Sequence, residues 1–115
     1  MSAFDSLFSN ASYFSVFGAP VEYSRGALSD TVDAMDSVIS KEQQMEFGAS
    51  LFQDVREFVI AVSDLDEFDG PERGDVIELG TGAAYELAQV GAAPAWEYDA
   101  DRDYYRCRGI LIQED

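Results

Sequence analysis

The sequence predicts a mainly β chain, a small antiparallel β-barrel or sandwich with a short N-terminal α-helix and a long loop between its second and third strands. Three observations predict it. From Gly18 onward, short apolar stretches alternate with polar residues at period two. Turn-forming Gly, Pro and Asp groups punctuate them at close spacing, the rhythm of a small barrel or sandwich. Helical spacing is confined to the first residues, while 47% hydrophobic and 13% aromatic content supplies the means to build a core. At 115 residues the chain fits one domain, which buries roughly two-thirds of its unfolded surface. The expected division is an N-terminal helical arm over 1–18, a β-barrel or sandwich over 19–112 and an acidic tail over 113–115.

Within the arm, Phe4, Leu7, Phe8, Ala11 and Phe14 recur at spacings of three and four and form one helical stripe, with Ser2 placed to cap it and Asp5 in the first turn. With Tyr13 and Phe17 nearby, so much apolar surface needs the domain core or another subunit to cover it. After Gly18-Ala19-Pro20 the period becomes two: Val21 and Tyr23 begin a strand, Arg25-Gly26 turns the chain, and Leu28 to Ile39 forms the second strand. Lys41 to Ser50 has neither a strand period nor a convincing cap and reads as a long loop, part of it open to helix. Asp54 to Asp64 is the strongest strand, with Phe58, Ile60 and Val62 on one face and Val55, Val59 and Ala61 on most of the other, as expected of a central strand covered on both sides.

Asp64 to Gly70 reads as an acidic connector that ends in the structure-breaking Gly70-Pro71. Asp75 to Leu79 and Ala84 to Val90 flank Gly80-Thr81-Gly82 as a hairpin, and Trp96 to Tyr98 and Tyr104 to Ile112 flank Asp99-Ala100-Asp101-Arg102-Asp103 as another.

The charge balance narrows function before any motif does. There are 23 acidic residues against 7 basic ones, no histidine, and a net charge of -16. Without histidine the chain lacks the commonest general base, metal ligand and partner of a nucleophile, and no catalytic constellation or cofactor site is expected. Lys41 is the only lysine and the six arginines are scattered among carboxylates, so tight binding of nucleic acid is not expected either. Cys107 is the only cysteine, which excludes an internal disulfide and suits a reducing compartment. No apolar run is long enough to span a bilayer, and the first 18 residues lack the positive stretch of a secretory signal, so the chain is expected to be soluble and without a membrane partner.

Short motifs have ordinary readings. Asp99, Asp101 and Asp103 carry the one-three-five spacing of a calcium loop, but Tyr104 replaces the required glycine and Ile110 the bidentate glutamate, so a solvated turn is the better reading. Asp64, Asp66, Glu67 and Asp69 read as a solvated charge run. Gly80-Thr81-Gly82 lacks the third glycine of a dinucleotide loop, and Arg73-Gly74-Asp75 is the grammar of a turn leading into a strand. Asn10-Ala11-Ser12 fits a glycosylation acceptor by pattern only. Arg106 and Arg108 share one strand face with Arg102 nearby; they either pair with carboxylates on neighbouring strands or meet an acidic surface of another subunit.

Ala3-Phe4-Asp5-Ser6-Leu7-Phe8, Pro71-Glu72-Arg73-Gly74-Asp75-Val76-Ile77, Tyr85-Glu86-Leu87 after a glycine turn, and the closing arginine-bearing strand resemble, in order and spacing, the head-tail joining (neck, connector or head-closure) proteins of long-tailed bacteriophages. The resemblance spans nearly the whole chain. It implies a structural virion protein that forms a homo-oligomeric ring of six or twelve copies, joining the portal or adaptor of the DNA-filled head to the tail proteins and leaving an axial channel for double-stranded DNA. It implies no enzyme activity, and a place in the virion neck after assembly in the host cytoplasm. By the family pattern Lys41, Glu42, Gln43, Gln44, Met45, Glu46 and Phe47 would point into the channel, and Phe4, Leu7, Phe8, Arg102, Arg106 and Arg108 would serve subunit contacts. The sequence departs from that pattern in the acidity of 64–69 and in the terminal Gln113-Glu114-Asp115.

An acidic wall agrees with a conduit, because it repels the duplex within a Debye length of about 8 to 10 Å and favours sliding over gripping. Two alternatives stand beside the neck ring. One is a tail terminator at the neck-tail junction, since fold does not separate neighbouring roles. The other is an acidic DNA mimic that blocks a DNA-binding protein through Asp64, Asp66, Glu67, Asp69, Asp99, Asp101 and Asp103.

Overall fold

The computed structural model describes residues 18–48 and 54–114. Seven strands follow in chain order: β1 (Ala19–Arg25), β2 (Leu28–Val38), β3 (Val55–Ala61), β4 (Val76–Glu78), β5 (Ala84–Leu87), β6 (Trp96–Asp99) and β7 (Tyr104–Gln113). A short helix, α1 (Lys41–Glu46), precedes β3, and a 310 segment, Val62–Phe68, follows it. Neighbouring strands run β3-β2-β1-β4-β5-β7, and β3 pairs back onto β7, so six antiparallel strands close a barrel. β6 lies outside that circuit, paired to β7 over Trp96–Asp99. Closure removes the exposed edges that an open sheet of this size would carry.

Local chemistry accounts for the path. β1 and β2 join through a two-residue turn in which Gly26 takes φ +60°, a first-position requirement of the type II′ hairpin that glycine meets without steric cost. Inward-facing residues at period two fill the barrel: Val21 and Tyr23, Val32 and Ala34, Phe58 and Ile60, Ile77, Tyr85, Leu87 and Cys107 are all buried. Gly109 on β7 permits the closest approach in this core. A Cβ there would lie 2.8 Å from Tyr85 Cβ and 3.3 Å from a Phe58 ring carbon. A smaller cluster of Ile39, Val55 and Val90, with Phe47 and Ile110 against it, covers the outer face beside α1.

Two expected boundaries are corrected. The third strand stops at Ala61, so Val62 does not continue the face of Phe58 and Ile60, and 64–70 is not a mere acidic connector. Leu65 and Phe68, three apart, fall on one side of the tighter 310 turn, and both are buried in the barrel core while Asp66, Glu67 and Asp69 face out and Asp64 is half-buried. The segment ends through Asp69 (φ +59°) and Gly70 (φ +90°), whose N–H groups donate to Asp66 O and Leu65 O at 3.1 Å each. Within the stretch expected to be a long loop, α1 forms because Ser40 and Gln43 make a reciprocal capping box: Gln43 N donates to Ser40 Oγ and Ser40 N to Gln43 Oε1, both at 3.2 Å.

Candidate assembly surfaces

The channel candidates lie on α1 and its C-terminal end. Gln44 is buried and Phe47 half-buried, and they fasten the segment to the barrel; Ala92 N donates to Phe47 O at 2.6 Å. Lys41, Glu42, Gln43, Met45 and Glu46 face outward, with Met45 64% exposed. Beside the helix a cleft of about 450 Å³ opens, walled by Val38, Ile39, Val55 and Tyr85 with Lys41 and Arg56 at its polar side. A capped helical turn fastened to the barrel therefore presents these side chains.

The arginines divide sharply. Arg108 is buried: its Nη1 donates to Glu97 Oε1 and Pro94 O at 3.0 Å each, its Nε lies 3.8 Å from Glu57, and its guanidinium stacks 5.6 Å from the Phe47 ring. Arg106, half-exposed on the same outer face, sits 3.3 Å from Glu57 and donates to Tyr104 Oη at 3.1 Å; that hydrogen bond, with Glu57, lifts its pKa further. Both therefore pair with carboxylates on neighbouring strands of their own chain. Arg102 is exposed at the β6–β7 turn. Phe4, Leu7 and Phe8 lie outside the described residues.

The two acidic stretches, far apart in sequence, converge. Val62 N donates to Asp103 O at 3.3 Å, and Asp66, Asp69 and Asp103 all act electrostatically on the Tyr105 hydroxyl, whose pKa rises chiefly through burial and then through these carboxylates. Asp64 sits in the same field: partial burial, then Asp33, Asp30 and Asp66, raise its pKa. In the turn itself, Asp99 Oδ1 accepts from Asp101 N at 3.0 Å and Arg102 N at 3.2 Å, and Asp103 accepts from Tyr98 Oη at 3.2 Å. These oxygens organise a hairpin turn, and among the described residues no group of three or more acids converges on a metal-sized point. One pole of the barrel is thus a dense negative surface.

Sequence reasoning missed one site altogether. Asp75 is 1% exposed, and its carboxylate accepts from Arg25 Nε at 2.7 Å, Arg25 Nη2 at 2.8 Å, Glu72 N at 2.9 Å and the Tyr23 hydroxyl. Arg25 also donates to Phe68 O at 2.7 Å and Gly70 O at 2.8 Å, so one guanidinium ties β1, the end of the 310 segment and the start of β4. Burial, then the hydrogen bond to Asp75, pushes the Tyr23 pKa far up; the same carboxylate raises that of Arg25. This buried lock also disposes of Arg73-Gly74-Asp75 as an adhesive tripeptide, because its acid is not available to a partner. No sequence signal marks it, since Asp75 reads as one more turn acid.

No curated protein sequence matches the chain significantly. Residues 8–114 match the family profile described as phage head-tail joining protein. That span takes in every described strand, the capped α1 and the acidic pole, and with it the chain belongs to the phage head-tail joining protein family, structural components of the virion.

Proposed function

We propose that copies of this chain close into a ring of six or twelve between the portal or adaptor and the tail, around the axis along which double-stranded DNA leaves the head. The observation that carries this reading, beside family membership, is how the cations are spent. Arg25, Arg56, Arg106 and Arg108 are paired with Asp75 and Glu72, Asp36, Glu57, and Glu57 and Glu97 of their own chain. Little positive charge is left to grip phosphate, whereas the acidic surface repels it. A duplex held off by its wall slides.

In this reading the exposed face of α1, formed by Lys41, Glu42, Gln43, Met45 and Glu46, turns to the channel and gates or lines it, while Gln44 and Phe47 hold the segment on the barrel. The N-terminal stripe of Phe4, Leu7 and Phe8 packs on a neighbouring copy, where the apolar cleft beside α1 offers a receiving surface, and the exposed Arg102 meets the neighbour's acids. Scarce cations placed at contacts between strongly negative subunits set register and association rate more than affinity. The tail-terminator position at the lower end of the neck differs only in which partners the ring touches.

Imaging of particles assembled without this protein tests the proposal. Full heads that fail to join tails, and lose their DNA, are the expected result; normal joining would overturn it. A chain absent from particles that competes with duplex for a basic protein would return the DNA-mimic reading.

A further inference from the structure

β6 is the one described strand outside the closed circuit, and among the described residues no strand lies along its second edge. The alternation of an antiparallel ladder determines what that edge offers. Arg108 N donates to Ala95 O at 2.8 Å and Trp96 stands opposite Cys107, so Ala95, Glu97 and Asp99 turn their backbone groups to β7. Trp96 and Tyr98 then turn their N–H and C=O groups outward. They are also the two large apolar side chains of β6, and both stay exposed, at 38% and 53%, with Tyr105 between them at 5.6 and 5.9 Å. On the opposite face, Glu97, Asp99 and Asp101 line a cleft of about 220 Å³ with Tyr98 and Arg106.

We infer that β6 is a docking edge for an extended segment of a different protein, one in which arginine or lysine alternates with apolar residues. An added strand satisfies the outward backbone groups, and its period of two delivers apolar side chains to the Trp96–Tyr98 face and cations to the carboxylate-lined cleft. Glu97 and Asp99 alone would be explained as charges that protect an edge from indiscriminate pairing. That explanation does not account for a tryptophan and a tyrosine left exposed beside them. A second copy of this chain is a poor occupant: β6 against β6 sets Glu97 and Asp99 against their own like, between bodies that each carry -16. The inference holds whether or not the copies form a ring.

Trp96 is the chain's single tryptophan, so the edge carries its own fluorescent reporter. The test titrates the full-length chain with a capped peptide of three Arg-Val repeats, about the length of a usual strand, and follows Trp96 emission together with backbone amide shifts. Saturable blue-shift of Trp96, with the Trp96 and Tyr98 amides among the most perturbed, is the expected result. A peptide of three Arg-Pro repeats, equal in charge but unable to extend the ladder, should bind at least roughly tenfold more weakly, and a Glu-Val peptide not at all. Equal binding of the proline peptide, shifts centred away from β6, concentration-dependent self-association through Trp96 without peptide, or no binding up to about 1 mM would each overturn the inference.

Discussion

Replacing Arg25 by methionine should cost this small barrel a large share of its stability. The substitution keeps an apolar stem and removes the guanidinium, so Asp75 loses its contacts at 2.7 and 2.8 Å, and Phe68 O and Gly70 O lose their donors. Only the Tyr23 hydroxyl and Glu72 N–H remain to face a carboxylate that is 1% exposed. Stripping one partner from a buried ion pair costs about 3–5 kcal/mol. Because the Arg25 side chain is itself 32% exposed, water reaches part of the gap, and the lower end, about 3 kcal/mol, is the expectation. With a urea slope of about 1.5 kcal/mol/M that is a midpoint lowered by about 2 M. Urea unfolding followed by far-ultraviolet circular dichroism measures it. The double variant Arg25→Met with Asp75→Asn, which removes the orphaned charge, should recover part of the loss and give a coupling energy of about 2 kcal/mol in the cycle. A loss under about 1 kcal/mol for Arg25→Met, or strict additivity of the two changes, would refute the lock as argued.

Other outcomes follow from the same packing. Gly109→Ala should destabilise by about 1–3 kcal/mol, because its Cβ would meet Tyr85 Cβ at 2.8 Å in a core with no slack; thermal unfolding checks it. Cys107, fully buried and with its thiol pKa pushed well up by burial and then by Asp75, should resist alkylation in the native protein and react on the timescale of unfolding. Asp64 binds its proton more tightly folded than unfolded, so it subtracts stability as pH rises from the ordinary aspartate value through its raised one. Asp64→Asn should therefore be more stable than the parent at neutral pH, by less than about 1 kcal/mol, no different below pH of about 3, and the gain should shrink in salt.

Much of the barrel was legible because its signals are local. Gly26 and the period two of Val21 and Tyr23 mark the first hairpin within a dozen residues, and the acid turn before Tyr104 marks the last. The fate of Val62–Phe68 was hidden because three aspartates and a glutamate crowd around Leu65 and Phe68 and mask a spacing of three that only a 310 turn brings to one side. Arg25 and Asp75 lie 50 residues apart, so nothing short of the closed barrel could pair them. The sequence leaves part of 41–50 open to helix, but the capping box of Ser40 and Gln43 that would fix the helix start is veiled by Gln43 in place of the more familiar glutamate. Among the arginines, spacing gave the shared face of Arg106 and Arg108 but not their unequal burial, which depends on Phe47 folding over one of them.

The most direct test of the account is an electron cryomicroscopy reconstruction of the head-tail junction of the phage that encodes this chain. The expected result is a closed ring of copies on the axis, α1 turned toward the lumen and DNA density standing clear of the protein wall. A junction without the chain, or a single copy lying off the axis with its surface against the duplex, would contradict it.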